Sequence, residues 1–206
     1  MAERPDPADP VGPLRLVHYF DARRGPFRSL SALPPDEARR VTRELASREP
    51  GMLGERTEAY VDRRRELERV ARAAFVAQGG TPRAPFPQYM VVEPCAWLAG
   101  WYARPAAVEC GSDAFEPGVL SFTYGDLFPT FSPHVRDGRE YRGRVYTLDG
   151  IRELLGRIGT PQRWNADGRH GPERYVEVQV WQDAATVLSR TRPLVPGPGT
   201  PSGTAT

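Results

Sequence analysis

The chain has 206 residues, 39% of them hydrophobic, and its 28 basic residues, all of them Arg, nearly balance 26 acidic ones to give a formal net charge of +2. Because the charges are interleaved along the chain, their field is too weak to predict nucleic acid as a partner. No run approaches the roughly 18 apolar residues of a membrane span, which argues against membrane insertion and favours a soluble protein.

The length fits one globular domain, which we place at residues 14–192. Four prolines among small and acidic residues predict a disordered segment at 1–13, and a composition of Pro, Gly, Ser and Thr predicts a disordered tail at 193–206. Cys95 and Cys110 show no CxxC spacing, and the N-terminus shows no signal-peptide pattern. Both observations favour reduced thiols in the cytoplasm.

The first half of the chain predicts two strands and two helices. An apolar, β-prone run at 14–20 indicates the first strand. Prolines and acidic residues indicate the start of a helix at 34–47. Helical spacing of apolar residues predicts a longer helix at 55–78, which ends at a pair of glycines. A short strand follows at 89–92.

The second half begins with an ambiguous segment. Residues 95–102 fit a short helix or a continuing apolar segment equally well, because periodicity does not separate the two. A possible strand at 107–110 comes next, and another begins at Leu120. A helix is predicted at 149–159, and the last strand, 174–181, alternates without a break.

This order of elements does not follow a strict βαβ alternation and therefore predicts the α+β class. We expect a single domain with a twisted, mostly antiparallel sheet of about five or six strands. Two or three helices cover the sheet, and those at 34–47 and 55–78 lie on one side of it.

The strand at 174–181 supplies the first candidate site. Alternation turns three valines toward the core and places Glu177 and Gln179 on the other face, between Tyr175 and Trp181. A carboxylate there orients a ribose hydroxyl or acts as a base. The alternative is a half-exposed strand of an antiparallel sheet, whose polar face is solvated.

Tyr124 is a candidate ligand-binding residue, and the loop that follows it supplies further polar side chains and is stiffened by two prolines. Asp126 is either a turn former beside Gly125 or a group that points into a cleft. In the second case its companions are two hydroxyls and an imidazole, those of Thr130, Ser132 and His134.

Basic and aromatic residues interleave after this loop and favour an anionic ligand. The planar fork of Arg matches phosphate or carboxylate, and Tyr can stack a ring. Strand alternation puts Arg142, Arg144 and Tyr146 on one face. The alternative is a solvated edge strand whose charged side chains prevent pairing with other chains. The candidate ligand-binding residues of this set are Arg139, Tyr141, Arg142 and Arg174.

No metal site is predicted, because the three histidines and two cysteines lack the spacing of metal ligands. The chain also contains no GxSxG elbow, P-loop or GxGxxG pattern. The sequence therefore leaves the cofactor open.

Two resemblances rest on short motifs. Two segments resemble sequence motifs of a group of uncharacterised bacterial proteins. They are Ser-Phe-Thr-Tyr-Gly-Asp at 121–126 and Gly-Pro-Glu-Arg-Tyr-Val-Glu-Val-Gln-Val-Trp at 171–181. This resemblance covers most of the chain and implies no activity.

The second resemblance is to ADP-ribosyltransferases. Arg15 on the first strand, the Ser-Phe-Thr that contains Ser121 and Thr123, and Glu177 on a late strand resemble in order the Arg, Ser-Thr-Ser and Glu elements of that family. The resemblance implies the use of a nicotinamide dinucleotide. The pattern departs at the late motif, because the family places Glu second in Gln/Glu-x-Glu, whereas here Glu177 precedes Gln179.

We therefore expect a cleft formed by 121–146 and 172–181 that binds a small anionic or nucleotide-like ligand, and the sequence leaves open whether the ligand is also turned over. Its candidate catalytic groups are Glu177, Asp126 and His134. The alternatives are an ADP-ribosyltransferase-like enzyme and a non-catalytic interaction module that presents Phe128 and Phe131 as a convex patch. The sequence assigns neither a substrate nor an oligomeric state.

Overall fold

The computed structural model describes residues 12–48 and 58–194. Its strands are β1 (Arg15–Asp21), β2 (Gln88–Val92), β3 (Pro105–Gly111), β4 (Leu120–Thr123), β5 (Val176–Val180) and β6 (Arg192–Pro193). They form one sheet in the order β4-β5-β2-β1-β3-β6, and every neighbouring pair is antiparallel. The predicted α+β architecture with a mostly antiparallel sheet is confirmed.

The helices of the described ranges are α1 (Pro35–Arg48), α2 (Glu58–Val76), α3 (Ala96–Ala99), α4 (Leu127–Thr130), α5 (Leu148–Ile158), α6 (Pro161–Trp164) and α7 (Ala184–Leu188). The helices predicted at 34–47, 55–78 and 149–159 correspond to α1, α2 and α5, and residues 55–57 lie outside the described part. The ambiguous segment at 95–102 contains α3. Among the helices described, none is long and apolar enough to cross a bilayer.

One face of the sheet packs against α5. Thr147 begins this helix by accepting a hydrogen bond from the amide of Gly150, and Gly159, with a φ of 71°, ends it. The buried stripe of α5 lies on the three valines of β5, as their alternation predicts. The apolar side chains at the centre of this cluster are Leu16, Met90, Leu120, Phe122, Ile151, Leu154, Val176, Val178 and Val180.

The opposite face of the sheet is covered as well. Leu67, Ala71 and Phe75 of α2 pack against Trp181, and α1 packs in turn on α2 through a separate apolar cluster. The polar side chains of β4 and β5 on this face are therefore buried. The expectation of a half-exposed polar face was wrong, because a single strand pattern does not reveal which helix covers it.

The strand expected around Arg142 is absent from the described fold. The segment pairs with the sheet only through an isolated bridge between Phe122 and Tyr146. Gly138 and Gly143 have φ values of 68° and 67°, so the chain turns twice where an extended strand was predicted.

The sheet also extends into the predicted tail. Pro193 pairs with Val108, and the amide of Leu194 donates to the carbonyl of Ala107 over 2.9 Å. These two residues are therefore part of the fold. The rest of the predicted tail, 195–206, and residues 1–11 of the predicted N-terminal segment lie outside the described residues.

Leu154→Ala is expected to lower the free energy of unfolding by about 2–5 kcal/mol, because it leaves a cavity under α5. Leu154 is 1% exposed and Leu188 is 44% exposed, so Leu188→Ala is the matched control. The control should change the free energy of unfolding by less than about 1 kcal/mol. Urea denaturation followed by circular dichroism measures both, and equal losses would contradict the core position of α5.

Candidate functional site

A chain of hydrogen bonds joins the buried polar side chains of β4 and β5. The Gln179 amide donates to Glu177 Oε1 over 3.0 Å and to Thr123 Oγ1 over 3.2 Å. Its oxygen accepts from Ser121 Oγ over 2.9 Å, and Trp181 Nε1 donates to the same hydroxyl over 2.8 Å. We call these five residues the polar layer. They satisfy one another on a face that excludes water.

Glu177 lies at the end of the polar layer and is only 5% exposed. Burial raises its pKa well above the usual range, and the nearby carboxylates of Asp126 and Glu68 add to this effect. Arg64 and the Gln179 amide act in the opposite direction. Within the described part of the chain, the second carboxyl oxygen, Oε2, has no hydrogen-bond partner.

Glu177 lines the first of three neighbouring cavities, which have volumes of about 90, 130 and 140 Å³. The first is lined by Arg64, Tyr89, Trp101, Asp126, Tyr175 and Glu177, among others. The second includes Phe27, Arg28, Leu30, Tyr60, Arg64 and Tyr89. The third includes Tyr19, Asp21, Arg24, Gly25, Arg28 and Val41.

His18 and Tyr102 line all three cavities, which are therefore neighbours in the fold. We call this group of cavities, with the lining residues just named, the aromatic cleft. The cleft lies beside β1, β2 and β5, so rigid strands position its walls.

Arg64 of α2 lines both the first and the second cavity. Its guanidinium lies 4.1 Å from the centre of the Tyr89 ring and donates to Glu68 Oε1 over 3.2 Å and to the Tyr60 hydroxyl over 2.7 Å. The Tyr89 hydroxyl also donates to Glu68, over 2.7 Å. This pairing neutralises the buried charges and fixes the ring of Tyr89 in the wall of the cleft.

Asp126 combines the two roles that the sequence left open. One carboxylate oxygen accepts from the amide of Phe128 over 2.8 Å and caps α4. The other accepts from the Tyr175 hydroxyl over 3.1 Å, at the wall of the first cavity. Asp126, Tyr175 and Glu177 are thus the predicted site residues that the fold brings together at the cleft.

His18 is a site residue that sequence reasoning missed. Its Nδ1 lies 2.7 Å from the Tyr89 carbonyl, and its Nε2 lies 2.9 Å from the Phe27 amide. These partners assign a neutral ring that donates from Nδ1 and accepts at Nε2. Burial lowers the pKa of His18 to about 4, so the ring is uncharged at neutral pH.

The arginines predicted to bind an anion instead enclose a buried carboxylate. Arg142 forms ion pairs with Glu173 and, over 2.6 Å, with Asp137. Arg139 contacts Glu173 over 3.5 Å and donates to the Tyr141 hydroxyl over 2.6 Å. Glu173 is fully buried, so these guanidinium groups compensate an internal charge.

This arrangement corrects the predicted cleft between 121–146 and 172–181. Arg142 and Glu177 share no hydrogen-bond partner within the residues described. The strand that carries Glu177 turns it toward α2, whereas the arginines bind the loop that precedes this strand. The predicted anion site and the predicted carboxylate therefore do not face one hollow.

Two other predicted ligand-binding residues have structural partners. The Tyr124 hydroxyl donates to the Gly159 carbonyl and accepts from Trp164 Nε1, each over 2.8 Å, inside the core. The guanidinium of Arg174 lies 4.6 Å from the Trp97 ring and donates to the Ala166 carbonyl.

The proline-rich loop is separate from Glu177. Thr130 is buried, whereas Ser132 and His134 line an open groove of about 460 Å³. Phe128 also borders this groove, but its ring stacks on Tyr60 at 4.9 Å. Phe128 and Phe131 both pack against the cluster under α2, so the expected convex patch does not form.

The three elements that resemble ADP-ribosyltransferases have different surroundings. Arg15 is bound to Glu109 over 2.7 Å. Ser121 belongs to the polar layer, and Glu177 lines the cleft.

In comparisons with known proteins, neither a protein family, nor a curated protein, nor a solved structure matches this chain. Among residues 12–48 and 58–194, no group of three or more His, Cys, Asp or Glu is placed to hold a metal ion.

Glu177→Gln is expected to become increasingly stabilising as the pH rises. Folding raises the pKa of Glu177 above its ordinary value of 4.5, so above that pH the native state binds more protons than the unfolded chain. Its stability therefore falls with rising pH, by up to about 1.4 kcal/mol per pH unit. The Glu177→Gln variant has no ionisable group at this position, so it does not undergo this loss of stability with rising pH.

Urea denaturation of both proteins between pH 5 and 8 measures the difference. Glu153→Gln is the control, because this exposed carboxylate remains hydrated in the folded chain. A difference between wild type and Glu177→Gln that does not change with pH would contradict the buried setting of Glu177.

Proposed function

We propose that the aromatic cleft binds a nucleotide-like ligand, with Glu177 hydrogen-bonded to a ribose hydroxyl. The observation that carries this proposal is the half-satisfied carboxyl group of Glu177. One oxygen is held by Gln179, while the other is without a partner in the described residues, and the side chain lines the first cavity. An orienting polar layer behind a free acceptor is the arrangement that a specific binding site requires.

The aromatic lining supports a ligand with a planar ring. Tyr89, Trp101, Tyr102 and Tyr175 all line the first cavity. Aromatic side chains stack on nucleobases with about 1–3 kcal/mol per base, and they do so with little dependence on the base. The lining therefore favours a nucleoside moiety over a plain sugar phosphate.

The protonation of Glu177 supports a hydroxyl as its partner. A raised pKa keeps the group uncharged over a wider pH range, and an uncharged carboxyl both donates and accepts hydrogen bonds. A ribose hydroxyl has the same two capacities.

We place this function in the cytoplasm, because Cys95 and Cys110 are both free thiols.

Isothermal titration calorimetry with adenosine tests the proposal. Wild type should bind, and Tyr102→Ala should weaken binding about tenfold or more through loss of stacking. Tyr102→Phe keeps the ring and should bind adenosine within a few-fold of wild type. Glu177→Ala, which removes both hydrogen-bonding oxygens, should also bind more weakly. Wild-type protein that binds neither adenosine nor guanosine, uridine or cytidine would overturn the proposal.

A second candidate is ribosyl transfer from a nicotinamide dinucleotide, which the raised pKa of Glu177 favours. A carboxyl group of this kind is a stronger base when ionised. The bond between ribose C1′ and the nicotinamide nitrogen breaks, and nicotinamide leaves as a neutral molecule with the bonding electron pair. A lone pair of the acceptor, water included, forms the new bond to C1′, and the acceptor's proton passes to Glu177.

Chromatography of nicotinamide released from NAD⁺ tests this candidate. Wild type should release nicotinamide, and Glu177→Gln should slow the release by about 100-fold or more, because it cannot accept the proton. Glu153→Gln should leave the rate unchanged. Equal rates for wild type and Glu177→Gln would exclude the role of Glu177 as a base.

A further inference from the structure

Acidic and basic side chains are distributed unevenly along the aromatic cleft. Asp126 and Glu177 line the first cavity, whereas Arg28 lines the second and third. We propose that Arg28 binds the phosphate of a nucleoside 5′-phosphate whose ribose lies at Glu177. This inference rests on the proposed function and assigns its substrate class as a phosphorylated nucleotide rather than a free nucleoside.

Arg28 is the guanidinium of the cleft that is available to a ligand. It makes neither a hydrogen bond nor an ion pair with any residue that the structure describes. Arg64, which lines the first two cavities, is bound to Glu68 and Tyr60 instead. An unpaired guanidinium keeps its full donor fork for the oxygens of a phosphate.

The carboxylate nearest to this end does not cancel its positive charge. Asp21 lines the third cavity, but Arg23 binds both of its oxygens over 3.0 Å. This pairing holds the pKa of Asp21 below its usual range. Arg24 lines the same cavity.

The backbone next to Arg28 is constrained. The preceding residue, Phe27, has a φ of 55°, in the left-handed region that non-glycine residues rarely adopt. Its amide donates to His18 Nε2, and its ring, 5% exposed, stacks on the His18 ring at 4.1 Å. Backbone strain of this kind persists only where the surroundings fix it, and it is frequent at ligand clamps.

The order of groups along the cleft matches the order of groups in a nucleotide. The phosphate is joined to the ribose at C5′, on the side of the sugar away from the 2′ and 3′ hydroxyls. A ribose held by those hydroxyls at Glu177 therefore directs its phosphate away from the two acidic side chains. The second and third cavities, which adjoin the first, offer the basic end that such a phosphate needs.

Calorimetry with adenosine, AMP and ADP on the full chain tests this inference. Wild type should bind AMP about tenfold or more tightly than adenosine, because a charge-assisted hydrogen bond is gained. Arg28→Ala should lose that preference while its affinity for adenosine stays the same. Arg169→Ala removes an 83% exposed arginine that lines none of the three cavities and should retain the preference.

The outcomes separate the two proposals. Equal affinity of wild type for adenosine and AMP, or a preference that survives in Arg28→Ala, would overturn the phosphate site and leave the nucleoside site standing. Absence of binding for nucleosides and nucleotides alike would overturn both. The unfolding temperature of Arg28→Ala, expected to equal that of wild type, excludes misfolding as the cause of a lost preference.

Discussion

The amide of Gln179 is the group on which the candidate site depends. It lies on a sheet face covered by α2, where an unpaired polar group costs about 1–3 kcal/mol. Its oxygen and nitrogen bind Ser121, Thr123 and Glu177, so the requirement for pairing fixes all three side chains at once. The position of Glu177 is thus a consequence of how the interior satisfies its hydrogen bonds.

The cleft arises where this pairing ends. The polar layer satisfies Glu177 from one side, and beyond it α2 supplies Arg64, whose charge is already neutralised by Glu68. Aromatic rings from β2, from the residue before β5 and from the segment after α3 fill the remaining wall. Such surroundings raise the pKa of a carboxyl group and exclude bulk water, two properties that frequently coincide at functional sites. The burial of both sheet faces therefore both stabilises the fold and gives Glu177 its raised pKa.

Local patterns predicted the elements of this fold well, because they depend on neighbours in the chain. The alternation of 174–181 and the helical spacing of α2 and α5 identified those elements and the faces they bury. The environment of Glu177 could not be predicted, because α2 lies more than 100 residues away in sequence. No local sequence pattern shows how this helix packs on β5. Only Asp126, Tyr175 and Glu177 among the predicted residues reached the cleft together.

The incorrect and the missed site predictions also arise because local sequence does not show which groups meet in the fold. Arg139 and Arg142 matched the chemistry of an anion site, but their anion is Glu173, an internal carboxylate some 30 residues away. His18 was missed because its partners are backbone groups of Tyr89 and Phe27, which no side-chain motif records. Residue type indicates which interactions are possible, and the tertiary structure selects the partner.

The short strand β6 has a consequence for association between molecules. Exposed sheet edges recruit strands from other chains, and proteins blunt them with short strands and prolines. Here β6 covers the outer edge of β3 and ends at Pro193, which has no amide to donate. At the other edge, Tyr146 already occupies the amide and carbonyl of Phe122. Part of each margin of the sheet is thereby shielded against polymerisation by strand addition.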